Sequence, residues 1–516
     1  MRYRRVVFLF LFLCIFPALA CNFPSGRQYS SDVSPNALRQ TLDAQNTVPQ
    51  PGSETPDTQG TVTPFPDSVS LPEAPSAQPT AEFDPLNYHY LTGPGDTLPS
   101  LALRFGVSAS QILAPQALSD QAYLPPGLTL TIPRVFAAPP YPEPLLPDSE
   151  VVYSPSSVDF LITEFIQTAG GYLASYQEEI VGTKLSGAQI VQRVAQETST
   201  NPRLLLVVLE YRSGWLRSQL ASGQDQRYPL GLHVPGYQGL YKELSLIGKL
   251  LNIGYYGWRS GSLTDIKFTD NTVVRLSPTL NAGSVAIQYL FSRLIKQPDW
   301  QTALYGQANF IHLYQELFGD PWDRATQMGP QLPFDLQQPA LELPFKPGER
   351  WSLTAGPHQS WNTGTPLGAL DFAPVTGEAP CRVSRAWATA SAPGLITRSE
   401  SNMVVLDLDG DGFEQTGWVL FYFHVADQDR IQPGQQVNLD DPIGHPSCEG
   451  GNTTGTHVHV ARKYNGEWIP ADGPLPFRLS GWTAHFGERA YQGSLAKDGD
   501  IVRASPGGAG TSIITR

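Results

Sequence analysis

At 516 residues the chain is too long for a single hydrophobic core and divides into several domains. A formal net charge of −13 excludes general nucleic-acid binding, which needs a basic surface to neutralise phosphates. Hydrophobic residues at 41% and charged residues at 16%, with 47 prolines and 47 glycines, point to folded domains joined by long linkers and to a turn-rich β part.

The first element is an address. Arg2, Arg4 and Arg5 precede an apolar run over 6–16 that is too short to span a bilayer with margin, and Ala18-Leu19-Ala20 has the small-x-small cleavage pattern. Residues 1–20 therefore read as a signal peptide, which places the chain outside the cytoplasm. Cys21 follows at once. The junction resembles a lipoprotein signal, which implies that Cys21 is lipidated and anchors the chain to a membrane without a spanning helix. Ala18 stands where that motif has Leu, so plain secretion is the alternative. Of the other cysteines, Cys14 leaves with the leader, and Cys381 and Cys448 have no CxxC spacing. In an oxidising compartment that pair is expected as a disulfide.

Residues 21–86 are dense in Pro, Ser, Thr and Gln with no helix or strand period, the composition of a disordered tether. As a coil, its ~65 residues span on the order of 45 Å. Over 87–134 an alternating run turns at Gly95-Asp96 into a helix capped by Asp96 or Thr97. A second helix starts at Ser108, and Leu128, Leu130 and Ile132 alternate as a returning strand. This segment resembles a LysM domain, which implies a β-α-α-β fold that binds N-acetylglucosamine chains such as peptidoglycan. Residues 135–152 form a proline-rich linker.

Residues 153–337 carry helical periodicity, with Val158, Phe160, Leu161 and Phe165 on one stripe and Ile190, Val191 and Val194 on another. Glu210 follows a mostly apolar run, where a general acid of raised pKa can sit. The stretch faintly resembles the glutamate-bearing helix of lysozyme-like transglycosylases, although Tyr211 and Arg212 intervene before Ser213. No second carboxylate is identifiable, and the competing reading is a structural glutamate paired with an arginine such as Arg212.

Residues 338–490 are β-patterned, with 491–516 as a C-terminal extension. In Gly455-Thr456-His457-Val458-His459-Val460 the two imidazoles point to one face of a strand and the two valines to the other. Asp371, between Leu370 and Phe372, faces away from that apolar pair, and a buried unpaired carboxylate calls for a cation. His424 ends an aromatic strand. Together with Gln432-Pro433-Gly434 and Pro442-Ile443-Gly444, these residues resemble the lysostaphin-type zinc metalloendopeptidases over roughly 345–475. The resemblance implies one zinc ion, with Asp371 and His459 as ligands and His457 and His424 as the groups that orient water and stabilise the oxyanion, His457 being the general base. It also implies a first ligand four residues before Asp371, where this chain has Leu367. His358, thirteen residues before Asp371, is the replacement, carried back by a loop over 361–366. If His358 does not ligate, the domain is a wall-binding regulator with an empty site. His445 reads as a loop residue, His485 lies beyond the matched stretch, and Asp407, Asp409 and Asp411 read as an acidic hairpin turn, since Trp418 stands where a calcium loop needs Glu. The expectation is a multidomain α+β protein whose partner is peptidoglycan, held by its glycan and cut in its peptides.

Overall fold

The computed structural model describes residues 84–451 and 453–516; the leader, Cys21 and most of the tether lie outside the described residues. No described helix is long and apolar enough to cross a membrane.

Strand β1 (Asn87–Leu91) pairs antiparallel with β2 (Thr129–Pro133), and α1 (Leu98–Phe105) lies between them in the chain. Thr97 is the cap, its hydroxyl accepting from the Ser100 N–H in a reciprocal capping box. Asp96 is instead buried, accepting from the Tyr90 hydroxyl, the Gly93 N–H and Arg104 Nη1. The second helix expected from Ser108 is corrected to a single 3-10 turn, Ala109–Gln111. Pro115 cannot extend a helix, and Leu113 instead bridges Thr131 at the sheet edge.

The middle region is helical with two short hairpins. Its elements are α2 (Ile162–Ala169), β3 (Gln177–Ile180), β4 (Thr183–Ser186), α3 (Gly187–Thr198), α4 (Pro202–Ser213) and α5 (Leu240–Arg259). They continue with β5 (Asp265–Lys267), β6 (Val273–Arg275), α6 (Ala282–Leu294), α7 (Gln297–Tyr305), α8 (Phe310–Phe318) and α9 (Pro321–Met328). Helix α4 is apolar all round because it is surrounded: Leu204 through Leu209 are fully buried. The end of the expected linker belongs to this core. Leu145, Leu146, Val151 and Val152 are buried in it, and the Leu145 N–H donates to Ser284 Oγ at 2.7 Å.

The last region is antiparallel β. Its strands are β7 (Arg350–Gln359), β8 (Leu367–Pro374), β9 (Ala388–Thr389), β10 (Gly394–Glu400), β11 (Met403–Asp407) and β12 (Trp418–Phe423). They are followed by β13 (Gln436–Val437), β14 (Pro442–Gly444), β15 (Val458–Tyr464) and β16 (Glu467–Trp468). Strands β17 (Arg478–Leu479), β18 (Trp482–Phe486), β19 (Gly493–Lys497), β20 (Asp500–Arg503) and β21 (Ile513–Thr515) complete it. The main sheet runs β13-β10-β11-β12-β15-β8-β7-β21, with β16 on β15. Residues 491–516, expected as an extension, are built into this region: β19 and β20 form a four-stranded sheet with β17 and β18, and β21 closes the edge of β7.

The two faces of the main sheet have different neighbours. Leu370, Phe372, Leu420, Tyr422, Val458 and Val460 pack into the core of the β region. On the opposite face, Ala369, Met403, Phe421, Phe423 and Ala461 join the core of the helical region. Arg259 at the end of α5 holds three segments together, donating to Pro94 O at 2.5 Å and pairing with Asp148 at 2.9 Å and Glu467 at 3.0 Å.

Candidate metal centre

The centre lies on the face of the sheet that the helical region shares, on neighbouring strands β7, β8 and β15. Asp371 and His459 are direct cross-strand partners, and Phe423 lies opposite His459 on β12. The position of His358 depends on a bulge. Ala355 pairs with Asp371 and His358 with Ala369, so three steps on β7 oppose two on β8. The extra residue turns His358 onto the face that carries Ala369 and Asp371; regular alternation would have sent it to the other side. Strand β7 itself brings it back, and the loop over 360–366 is only the hairpin connection. Leu367, at the position expected of a first ligand, pairs with Gln359 at the start of β8.

His358 Nε2 and His459 Nδ1 are 3.0 Å apart, and each lies 3.2 Å from Asp371 Oδ1. All three residues are buried. Despite those distances Asp371 Oδ1 is buried without a well-directed hydrogen bond, as an oxygen reserved for a cation would be. A tetrahedral ion with donors at about 2.0–2.1 Å separates its ligand atoms by roughly 3.3 Å, so this triangle fits zinc.

Backbone carbonyls fix each imidazole. His358 Nδ1 donates to Gly356 O at 2.9 Å and His459 Nε2 to Ser360 O at 3.0 Å, which leaves their inward nitrogens as lone pairs. His457 Nδ1 donates to Gly455 O at 2.8 Å, and its Nε2 lies 3.5 Å from Asp371 Oδ2. His424, at φ 62°, donates from Nδ1 to Glu449 O at 2.8 Å, and its ring centre is 4.6 Å from that of His457. Each ring, in the tautomer that donates through Nδ1, keeps Nε2 as its acceptor.

The charges follow from burial and pairing. Burial opposes ionisation of Asp371, but His358 and His457 outweigh it and hold the carboxyl well below the usual range. For His358 burial is outweighed by the Asp371 charge, and its pKa rises. Burial lowers that of His459. Burial, reinforced by His457, pushes His424 down to about 3, so its ring is neutral at any ordinary pH.

Covalent and hydrogen-bond ties join the segments around the centre. A disulfide joins Cys381 to Cys448, the Ser447 N–H donates to His424 O at 2.8 Å, and Thr456 Oγ1 donates to Arg382 O at 2.8 Å. Two contributors had no sequence signature. Ser360 acts through its carbonyl, and Tyr491 stacks on His358 with ring centres 4.7 Å apart. Neither His445 nor His485 joins the cluster: His445 Nδ1 donates to Ala386 O, and His485 lies 3.8 Å from Asp472. Glu210 is also elsewhere. It accepts from the Leu216 and Arg217 N–H groups and from Arg217 Nε at 2.8 Å, so its arginine partner is Arg217; Arg212 donates to Leu230 O instead.

The LysM domain family matches residues 90–133, and the family described as LasA, N-terminal domain, matches residues 144–333. Protease LasA of Pseudomonas aeruginosa is 25% identical over 314 residues, which cover 56% of this chain and 69% of that protein. The chain is thus similar to a LysM domain, to the LasA N-terminal domain and, over part of its length, to Protease LasA. Beta-lytic metalloendopeptidase of Achromobacter lyticus is 28% identical over 150 residues, covering 28% of this chain and 37% of that protein. Among solved structures, the M23 metalloprotease pseudoalterin overlaps 32% of this chain and 96% of its own, at 22% identity and a TM-score of 0.28.

Proposed function

We propose that this protein is a zinc metalloendopeptidase that hydrolyses peptide bonds in peptidoglycan, held to the wall by its LysM domain. The observation that carries the reading is the triangle of His358 Nε2, Asp371 Oδ1 and His459 Nδ1, with edges of 3.0–3.2 Å and a buried oxygen that lacks a hydrogen-bond donor. Similarity to Protease LasA and to a beta-lytic metalloendopeptidase supports the same reaction class.

His358, Asp371 and His459 hold the ion. Zinc, when bound there, supplies a Lewis acid that polarises a carbonyl and acidifies a water. His457 Nε2, its other nitrogen committed to Gly455 O, takes the proton from the attacking water and returns it to the amine as the C–N bond breaks. His424, neutral and with only an acceptor nitrogen free, orients that water. It cannot donate to an oxyanion, so hydrogen-bond donation falls to His457 once protonated. LysM binding raises the local concentration of substrate. A lipid on Cys21, with the tether over 21–86, sets how far the domains reach from a membrane.

Digestion of purified peptidoglycan tests the reading. The expected products carry new free amino groups, and zinc is found at about one ion per chain. New reducing sugar ends instead would point to glycan cleavage, and neither product together with no bound zinc would leave a wall-binding regulator.

A further inference from the structure

We propose that the helical region is a working part of the metal centre, because helix α5 positions the loop whose carbonyl orients the ligand His459. The inference rests on the reading of His358, Asp371 and His459 as zinc ligands.

Ser360 O is the acceptor that fixes His459 Nε2, at 3.0 Å. Ser360 belongs to the short connection between β7 and β8, which is folded tightly on itself. Its N–H donates to Pro366 O at 3.0 Å, the Trp361 N–H donates to Thr365 Oγ1 at 3.1 Å, and Thr365 Oγ1 donates to Asn362 O at 2.8 Å. A push on the tip of such a loop is passed to its base. That tip is Gly364, at φ +112°, where it rests on α5 from the helical region. A Cβ at this position would lie 2.7 Å from Ile253 Cγ1 and 3.1 Å from Ile253 N and Lys249 O. Trp361, two residues before Thr363, packs edge-on against Phe421 and Phe423 and contacts the helical core. The loop is therefore clamped between α5 and the strands beside the metal centre. A second sphere that sets the tautomer and tilt of a ligand changes metal affinity on the order of 10–100-fold when disturbed. Here part of that sphere is held in place by another region of the chain.

The test is a pair of substitutions in the full-length protein, read by zinc competition with a chelating dye and by the visible spectrum of the cobalt-loaded form. Gly364→Ala should lower zinc affinity about tenfold and shift the cobalt bands, because the new methyl pushes the loop, and Ser360 O with it, away from His459. Adding Ile253→Ala removes the closest contact, Cγ1 at 2.7 Å, while the backbone atoms Ile253 N and Lys249 O at 3.1 Å and the positive φ remain, and it should recover part of the loss. A mere loss of fold stability would lower the melting temperature and leave the spectrum of the loaded protein unmoved. Zinc affinity within twofold of the unsubstituted chain in Gly364→Ala overturns the proposal. So does a loss that Ile253→Ala does nothing to recover, since the effect then lies within the loop. Failure of the unsubstituted chain to bind zinc is a different result, and it removes the metal site itself.

Discussion

Asp371 and His459 face each other across adjacent strands, with Oδ1 and Nδ1 3.2 Å apart and with His358 Nε2 within the same distance of Oδ1. The carboxylate is the shared vertex of both contacts, while backbone carbonyls orient the two rings.

Removing that vertex should abolish metal binding. Asp371→Asn and His358→Ala are each expected to reduce bound zinc from about one ion per chain to a small fraction, with a loss of hydrolysis of at least about 10³-fold. Metal analysis after gel filtration, alongside release of amino groups from peptidoglycan, measures both. If His358→Ala retains full zinc, another residue supplies the third donor.

His457 and His424 should behave differently from the ligands. His457→Ala is expected to keep its zinc while kcat falls about 10²–10⁴-fold, the usual contribution of a positioned proton acceptor. His424→Ala should also keep its zinc and lose activity. Because burial holds His424 near 3, an acid limb in the rate profile well above that pH cannot come from its protonation. Pairing the pH–rate profile with metal content separates the two roles.

Glu210 provides a control on the glycan-cleaving alternative. Its carboxylate accepts from two backbone N–H groups and from Arg217, so it closes the turn after α4. Glu210→Gln should leave peptidoglycan hydrolysis within about twofold and destabilise the fold by roughly 1–3 kcal/mol, the cost of weakening charge-assisted hydrogen bonds. Chemical denaturation and the digestion assay check the two halves. Loss of hydrolysis with unchanged stability would revive a catalytic Glu210.

The acidic turn between β11 and β12 gives a pH dependence. Burial, and after it the Asp409 carboxylate, pushes Asp407 up to about 7. Its folded pKa lies above the unfolded value of about 3.9, so the stability it contributes is complete below that value and is lost as pH rises through about 7. Asp407→Asn should therefore stabilise the fold at pH 8 by roughly 1–3 kcal/mol and have little effect at pH 4. Melting curves of both proteins across that range are the measurement.

Some of this was legible in short stretches of sequence. Strand alternation placed His457 and His459 on one side and set Asp371 away from Leu370 and Phe372, because side-chain direction along a strand depends only on local geometry. The single turn at Ala109–Gln111 was not legible, since whether a short segment becomes a helix depends on Leu113 finding a partner at Thr131.

By itself, the sequence determined the order of regions, the histidines and aspartate available for chemistry, and the face on which each strand residue lies. All of these follow from composition and from periods of a few residues. Tertiary structure decided whether those side chains meet. The bulge that turns His358 toward Asp371 is a register between two strands. The Ser360 carbonyl, the ring of Tyr491 and the clamp of α5 on Gly364 are contacts between segments remote along the chain. Register and packing arise from the whole fold, and no local pattern of residue types encodes them.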